Sequence, residues 1–451
     1  MTTRAPSRPA RTVVFACAAM LVAYLPFSAA NALLGAIAAD TGATTVRLQW
    51  VSDAFAVALA ATVLCAGVLA DLHGHRRVTR VGLGLTAVGG ILAFAGGSVP
   101  ALWIGQAVAG VGGGAVMSAS LGLIAATAPA RDRAVSLWAA AVVGGLGLGP
   151  FLAALMAPAG WRAVFVPIVV LAVAVAALPS AEAAAPEGRG SDLPGQVTGA
   201  LGIVLLTCGI INGGNAGWVD PWTIIILVAA AAALVAFVVV ESRAASPLLR
   251  LDLFRSGGFT AAGLAAMVVL MAISGSLFVL SLLFAYQHVD DLGIAVRLGV
   301  MFLGNAMASI AASRLAARYG AQAVLVSGLC IAGAGTATLL SVTAGTGLTG
   351  YAWRLALVGL GAGLVMATAS AVALRSVPGP LAGMAGAANN AMRQLGAALG
   401  PAVLGSVLAA RLHAGDDHIT VIHLCAAALA AAFILTAVAV HRLTTTKGTS
   451  P

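Results

Sequence analysis

Long apolar runs separated by short polar ones set the pattern of this chain. A helix that crosses a bilayer needs about 20 mostly apolar residues. Fourteen stretches meet that requirement: 12–34, 48–70, 78–97, 101–125, 134–157, 162–180, 195–214, 221–241, 259–286, 292–312, 320–342, 350–375, 384–410 and 419–441. Backbone groups in lipid must be satisfied within the segment or its sheet. Runs this long, rich in Ala, Leu, Val and Gly, predict helices, whereas barrel strands are about ten residues with alternating polarity. The expected fold class is an all-α integral membrane protein with fourteen transmembrane helices.

Two polar breaks interrupt the series. Glu182 to Pro194 carries Pro186, Glu187, Gly188, Arg189 and Asp192, and Glu241 to Phe259 carries Arg243, Pro247, Arg250, Asp252 and Arg255. They predict six helices, then two, then six. A faint internal repeat agrees, since Ser313-Arg314-Leu315-Ala316-Ala317-Arg318-Tyr319-Gly320 mirrors Gly67 to Gly74. The expected domains are an N-terminal six-helix bundle (1–180), a two-helix insertion with flanking loops (181–258) and a C-terminal six-helix bundle (259–451). The two bundles are expected to be pseudo-symmetric about an axis along the membrane normal, an arrangement that places a substrate site near the midplane between halves.

Composition sharpens the class. Apolar residues make up 61% of the 451 and charged ones 8%, and the mean hydropathy is +1.04, values foreign to a water-soluble globular chain. The net charge of +9 invites a nucleic-acid reading, but its distribution opposes it. With both termini inside, seventeen of the 23 basic residues fall on the inner side: Arg4, Arg8, Arg11, Arg76, Arg77, Arg80, Arg131, Arg133, Arg189, Arg243, Arg250, Arg255, Arg314, Arg318, Arg375, Arg442 and Lys447. Arg47, Arg162, Arg297, Arg354 and Arg411 fall outside, and Arg393 within a span. That asymmetry follows the positive-inside rule and predicts a plasma (inner) membrane protein with both termini cytoplasmic. Anionic lipid headgroups are the expected partners of the inner arginines, and nucleic acid is not expected.

Cys17, Cys65, Cys208, Cys330 and Cys425 all lie within spans without a metal-ligand spacing, so they read as small packing residues. The seven histidines do not cluster tightly enough for zinc, although His73 and His75 share one loop. The apolar run after Arg4, Arg8 and Arg11 is too long for a signal-peptide core and reads as a retained first helix.

Chemistry concentrates in a few places. Gly67-Val-Leu-Ala-Asp71-Leu-His-Gly74-His-Arg76-Arg77 sets an acid, two glycines and an arginine pair between two apolar segments. It predicts a tight turn in which Asp71 and the basic residues Arg76, Arg77 and Arg80 pair across the turn or with a neighbouring helix end. Such contacts break and reform when helices slide, as a gate requires. Gly145-Leu-Gly147-Leu-Gly149-Pro150 follows no strand, so it is not a phosphate loop. Its glycines allow close helix approach, and Pro150 bends the helix. Gly110/Gly114, Gly359/Gly363 and Gly396/Gly400 read as structural close-packing positions.

Asp53 lies five residues into the second span. An ionised carboxylate costs about 2.5–3.5 kcal/mol at the bilayer centre and less toward the interface. Asp53 therefore reads either as an acid that faces a water-filled cavity and carries a proton, or as an interfacial residue. Asn389, Asn390, Arg393 and Gln394 place four polar side chains in one span, and Asn389 and Arg393 share a face. Substrate contact and interhelical hydrogen bonding both fit them. Phe27, Asn31, Phe55, Gln106, Met117, Phe278, Met301 and Phe302 are candidate lining for a pocket that takes amphipathic molecules; ordinary helix packing is the alternative.

The Gly67–Arg77 loop resembles the signature between helices 2 and 3 of the major facilitator superfamily, and the six-two-six count resembles its fourteen-helix drug:proton antiporters. Gly145, Gly149 and Pro150 resemble the antiporter motif, with Ala153 and Ala154 where that motif has a glycine pair. Trp161-Arg162-Ala-Val-Phe165 resembles the family's opening of helix 6 and reads as an interfacial anchor. The Trp-x-x-Asp-x-aromatic pattern around Asp53 is similar to multidrug members in which the acid serves protonation or cation binding. The run around Asn389 and Arg393 is similar to the family's helix 13. Two positions depart from the pattern: Pro26 stands where helix 1 usually has an aspartate, and Gln106 where helix 4 usually has an arginine. Gln106 carries no charge that tunes a carboxylate.

The resemblance implies a monomeric secondary transporter that exports small amphipathic compounds by alternating access, with Asp53 as the proton-coupling acid. The energy source is the proton gradient, and neither a cofactor nor enzyme activity is expected. A non-transporting sensor of the same fold and an uncoupled facilitator or importer are the alternatives left open by Pro26 and Gln106.

Overall fold

In the computed structural model, residues 8–128, 131–180, 192–244, 247 and 249–445 are described. Arg4, Arg189 and most of the expected Glu182–Pro194 break lie outside them, as does Lys447. Fifteen α-helices occur among the described residues. They are α1 (Arg8–Ala32), α2 (Leu34–Thr41), α3 (Thr45–His73), α4 (His75–Ala95), α5 (Val99–Thr127), α6 (Arg131–Met156), α7 (Phe165–Ala176), α8 (Leu193–Ala216), α9 (Pro221–Arg243), α10 (Gly257–Tyr286), α11 (Asp291–Tyr319), α12 (Ala321–Ala337), α13 (Leu348–Arg375), α14 (Ala382–His413) and α15 (His418–Thr445). The protein is an all-helical, multi-pass membrane protein. Among the described residues, thirteen helical segments are long and apolar enough to cross a bilayer, and the place of the expected span 162–180 is taken by the shorter apolar run Trp161–Ala176. The short α2, which follows a break at Leu33, has no counterpart among the expected spans.

The chain forms two compact units, one of residues 1–33 and 50–191, the other of 34–49 and 192–451. In the first, α1 packs on α5, α6 and α7, and α4 on α5 and α7. In the second, α10 packs on α13, α14 and α15, and α12 on α13 and α15, while α8 pairs with α9 and rests on α14. The same connections recur in the same chain order in both units. Helix α10 is the most enclosed of the spans and α9 the least. Exposed Val228, Val235 and Val238 on α9 are the face expected toward lipid.

Close packing comes from glycines. A Cβ on Gly110 or Gly114 of α5 would press on Phe55 and Leu59 of α3, and one on Gly359 or Gly363 of α13 on Met301 and Asn305 of α11. Small residues at such contacts let backbones approach where no hydrophobic force drives helices together. Hydroxyls inside the spans are satisfied locally: Thr79, Thr86, Ser281, Thr336 and Thr368 each donate to the carbonyl four residues back, a bond that needs no second helix.

Candidate functional site

The α3–α4 connection is a single residue. Gly74 has φ 93° and ψ 132°, a conformation strained for any residue with a Cβ, and its N–H bonds to Ala70 O at 3.0 Å. The basic residues after it point toward the end of the last helix in the unit: Arg76 donates to Ser180 O at 3.2 Å and Arg80 to Leu178 O at 3.1 Å. Cations at carbonyls that follow a helix C-terminus are stabilised by its dipole. Asp71 lies 3.8 Å from His75 Nε2. Arg77 is exposed. A Cβ on Gly67 would meet nothing within 4 Å, so Gly67 is not a close-approach glycine in this arrangement.

The second unit repeats this joint. Gly320, alone between α11 and α12, has φ 86° and ψ 142°, and its N–H bonds to Ala316 O at 3.0 Å. Gln322, two residues on as Arg76 is from Gly74, hydrogen-bonds Thr444 on the last helix of that unit. Ala317 and Ala321 occupy the places of Asp71 and His75.

Asp53, three residues after Trp50 on α3, is fully buried. Its neighbour Ser52 donates to Asn31 Oδ1 at 2.6 Å, and Asn31 Nδ2 donates to Phe27 O at 2.8 Å, which ties α3 to α1. Gln106, 1% exposed, donates from α5 to Pro26 O at 3.0 Å. Phe27 and Phe55 meet with ring centroids 5.3 Å apart, and Tyr24 closes on Phe55 at 6.2 Å. Asn31, Gln106 and Phe27 are thus gathered in one interior of α1, α3 and α5. Met117 is buried on α5 as well.

Gly145 and Gly149 on α6, the latter followed by Pro150 within the helix, face α1. A Cβ on Gly145 would strike Leu21 O, and one on Gly149 would strike Ser28 Oγ and the Ala29 amide. Ser28 Oγ donates to Gly145 O at 3.0 Å. The second unit builds the same contact from Gly396, Gly400 and Pro401 on α14: Gly396 meets Met267 O, and Gly400 meets Ser274 Oγ and Met271 O on α10. Reading Gly396/Gly400 as packing glycines alone missed that Gly-x-x-x-Gly-Pro occurs twice, each time against a serine.

In the second unit Phe278 is fully buried on α10, Met301 and Phe302 are buried on α11, and Asn389 is buried on α14. Asn389 Nδ2 lies 3.5 Å from Ser370 Oγ on α13. Arg393, one turn on, is half-buried. The sequence reading also missed Gln49. It is fully buried and donates from Nε2 to Pro401 O and Ala402 O, both at 3.0 Å. A lone amide beside Trp50 in an apolar run was the signal, and only the fold brings the carbonyls of Pro401 and Ala402 to it.

Known proteins are similar along most of the chain. The sequence profile described as Major Facilitator Superfamily matches residues 16–401 and 262–450. Multidrug resistance protein Stp of Mycobacterium tuberculosis (strain CDC 1551 / Oshkosh) is 32% identical over 381 residues, 81% of this chain and 70% of Stp. The cephamycin export protein CmcT of Amycolatopsis lactamdurans is 33% identical over 420 residues, 87% of this chain and 83% of CmcT. The crystal structure of the nucleoside transporter NupG matches with a TM-score of 0.67 at 12% identity, covering 96% of this chain and 99% of NupG. At that identity the likeness is one of fold.

Proposed function

Since the chain belongs to the Major Facilitator Superfamily, we propose that it exports small amphipathic compounds by alternating access, driven by proton entry. It is a membrane transporter and not an enzyme. Support for export comes from relatives named for multidrug resistance and cephamycin export. In this reading the chain crosses the plasma membrane fourteen times, with Trp161–Ala176 as the shortest crossing, and both termini are cytoplasmic. Domains 1–180 and 259–451 are the moving bundles, and 181–258 is the insertion. The candidate substrate contacts are Phe27, Asn31, Gln106 and Met117 in the first unit and Phe278, Asn389 and Arg393 in the second. The protein works as a monomer in contact with anionic lipid, without a cofactor, and Asp53 carries the proton. The Gly67–Arg77 loop is the cytoplasmic gate.

One observation carries the coupling part: Asp53 is fully buried in α3 in a span otherwise free of acids until Asp71. A carboxylate there alternates between ionised and protonated forms as its surroundings change from wet to dry. The neutral contact of Gln106 with Pro26 favours a second reading, an uncoupled facilitator. Cells lacking their own exporters, loaded with a fluorescent amphipathic cation, separate the two. With the chain present, they should hold less dye, and a protonophore should restore it. Dye loss indifferent to the protonophore selects the facilitator, and unchanged retention removes export of that substrate class.

A further inference from the structure

The histidine of the signature loop is built into the joint. His75 is 8% exposed, at the first turn of α4. Its ring fills the space left by Gly122 on α5: a Cβ there would be 2.7 Å from Cε1 and 3.0 Å from Nε2. Nε2 lies 3.8 Å from Asp71 Oδ1, beyond a hydrogen bond but close enough for an ion pair when the ring is charged. Nδ1 is buried and makes no hydrogen bond among the described residues.

Among the described residues, the charged groups around the ring are few. Asp71 faces it from α3, and α5 and α7, which pack on α4, carry no ionisable side chain over their lengths. On α4 itself, Arg76 and Arg80 reach the carbonyls of Ser180 and Leu178, and Arg77 is exposed. At the end of α1, Arg11 is exposed. His73, two residues earlier, is also exposed, with Nδ1 3.2 Å from Leu69 O.

We infer that His75 and Asp71 form a proton-binding site that clamps the one-residue joint between α3 and α4. Imidazole is the side chain whose charge ordinarily changes between about pH 5 and 8. Protonated, His75 pairs with Asp71 across Gly74, and the two helix ends are held together through an ion pair largely withdrawn from water. Neutral, the ring keeps its packing against Gly122 but loses the ion pair with Asp71. The second unit shows that the joint itself needs no such pair: Gly320 adopts the same conformation between Ala317 and Ala321. The proton site is an addition to one of the two joints, and it makes the closing of that side respond to the pH on the side where the loop lies. This inference rests on the loop being a gate, so its test reads the joint and not transport.

The full-length protein, with its five cysteines replaced by alanine, would carry a spin label at Leu72→Cys, a position 48% exposed beside the joint. Reconstituted in phospholipid vesicles and titrated from about pH 5 to 8, the label should pass from restricted to mobile in a one-proton transition. His75→Gln should hold it mobile throughout, Asp71→Asn should abolish the transition, and His73→Gln should leave it unchanged. A flat wild-type profile, or a transition surviving in His75→Gln or Asp71→Asn, overturns the inference. If His75→Gln does not fold, the Asp71→Asn profile decides alone. Transport assays of Asp71→Asn in the same vesicles judge the gate separately: undiminished transport removes the gate and leaves the proton site standing or falling on the label.

Discussion

Gln106 Nε2 hydrogen-bonds the carbonyl of Pro26 across 3.0 Å, so the two positions at which this chain departs from the resembling acid and arginine pattern touch each other. A neutral amide and a backbone carbonyl stand where a charged pair is expected. Loss of both charges together avoids stranding either one in a buried place, where an unpartnered charge is far more costly than a neutral hydrogen bond.

That contact makes the departure testable as a pair. Pro26→Asp alone and Gln106→Arg alone each bury a new charge and should each destabilise the protein by about 3 kcal/mol or more, the scale of a broken buried pair. Together they should recover at least about 1 kcal/mol of the summed loss, a coupling typical of residues in contact. Thermal unfolding of the four proteins in detergent measures the cycle. Strict additivity would mean that the two side chains do not meet.

Glycine at position 149 is set by Ser28. Gly149→Ala drives a methyl into Ser28 Oγ and the Ala29 amide, while at neighbouring Gly144 the nearest atom to an added Cβ is Leu21 Cδ1 at 3.7 Å. Overpacking in a close-packed interior costs about 1–3 kcal/mol. Gly149→Ala should lose that much in a detergent melt, and Gly144→Ala almost nothing. Gly400→Ala, which meets Ser274 in the same way, should behave like Gly149→Ala. A neutral Gly149→Ala would show that α6 does not sit this close to α1.

The sequence announced the helices well, because a bilayer leaves a segment of about 20 apolar residues few alternatives. The Gly67–Gly74 and Ser313–Gly320 repeat was visible as spelling, and the structure makes it one joint used twice. Less was legible where partners come from distant segments. Gln106 and Pro26 are 80 positions apart and Ser28 and Gly145 are 117 apart, so nothing local says that they meet. His75 read as one of two loop histidines. Only the slot beside Gly122 distinguishes it from the solvated His73.

Gly74 and Gly320 should be the least replaceable residues of the two joints. Positive φ near 90° with extended ψ suits glycine almost alone, and forcing a side chain there costs about 1–3 kcal/mol. Gly74→Ala and Gly320→Ala should therefore each lower the melting temperature by a similar amount. Gly67→Ala, whose new methyl meets open space, should not. A melt of the three variants side by side decides this, and equal tolerance at all three positions would contradict the joint geometry.

Asp53→Asn tests the coupling acid. Antiport needs a group that exchanges a proton with one side and releases it toward the other, and amide cannot do so. The isosteric change keeps the volume of a fully buried site, and nearby Ser52, Asn31 and Phe27 remain bonded to one another, so the fold should persist. Uphill efflux should then fall to background while downhill exchange of labelled substrate continues, because alternating access itself needs no proton at a neutralised site. Vesicles loaded with substrate, with and without an imposed pH gradient, measure both rates. Retained uphill transport that collapses with a protonophore would place the coupling acid elsewhere, and equal loss of exchange and efflux would mark Asp53 as structural.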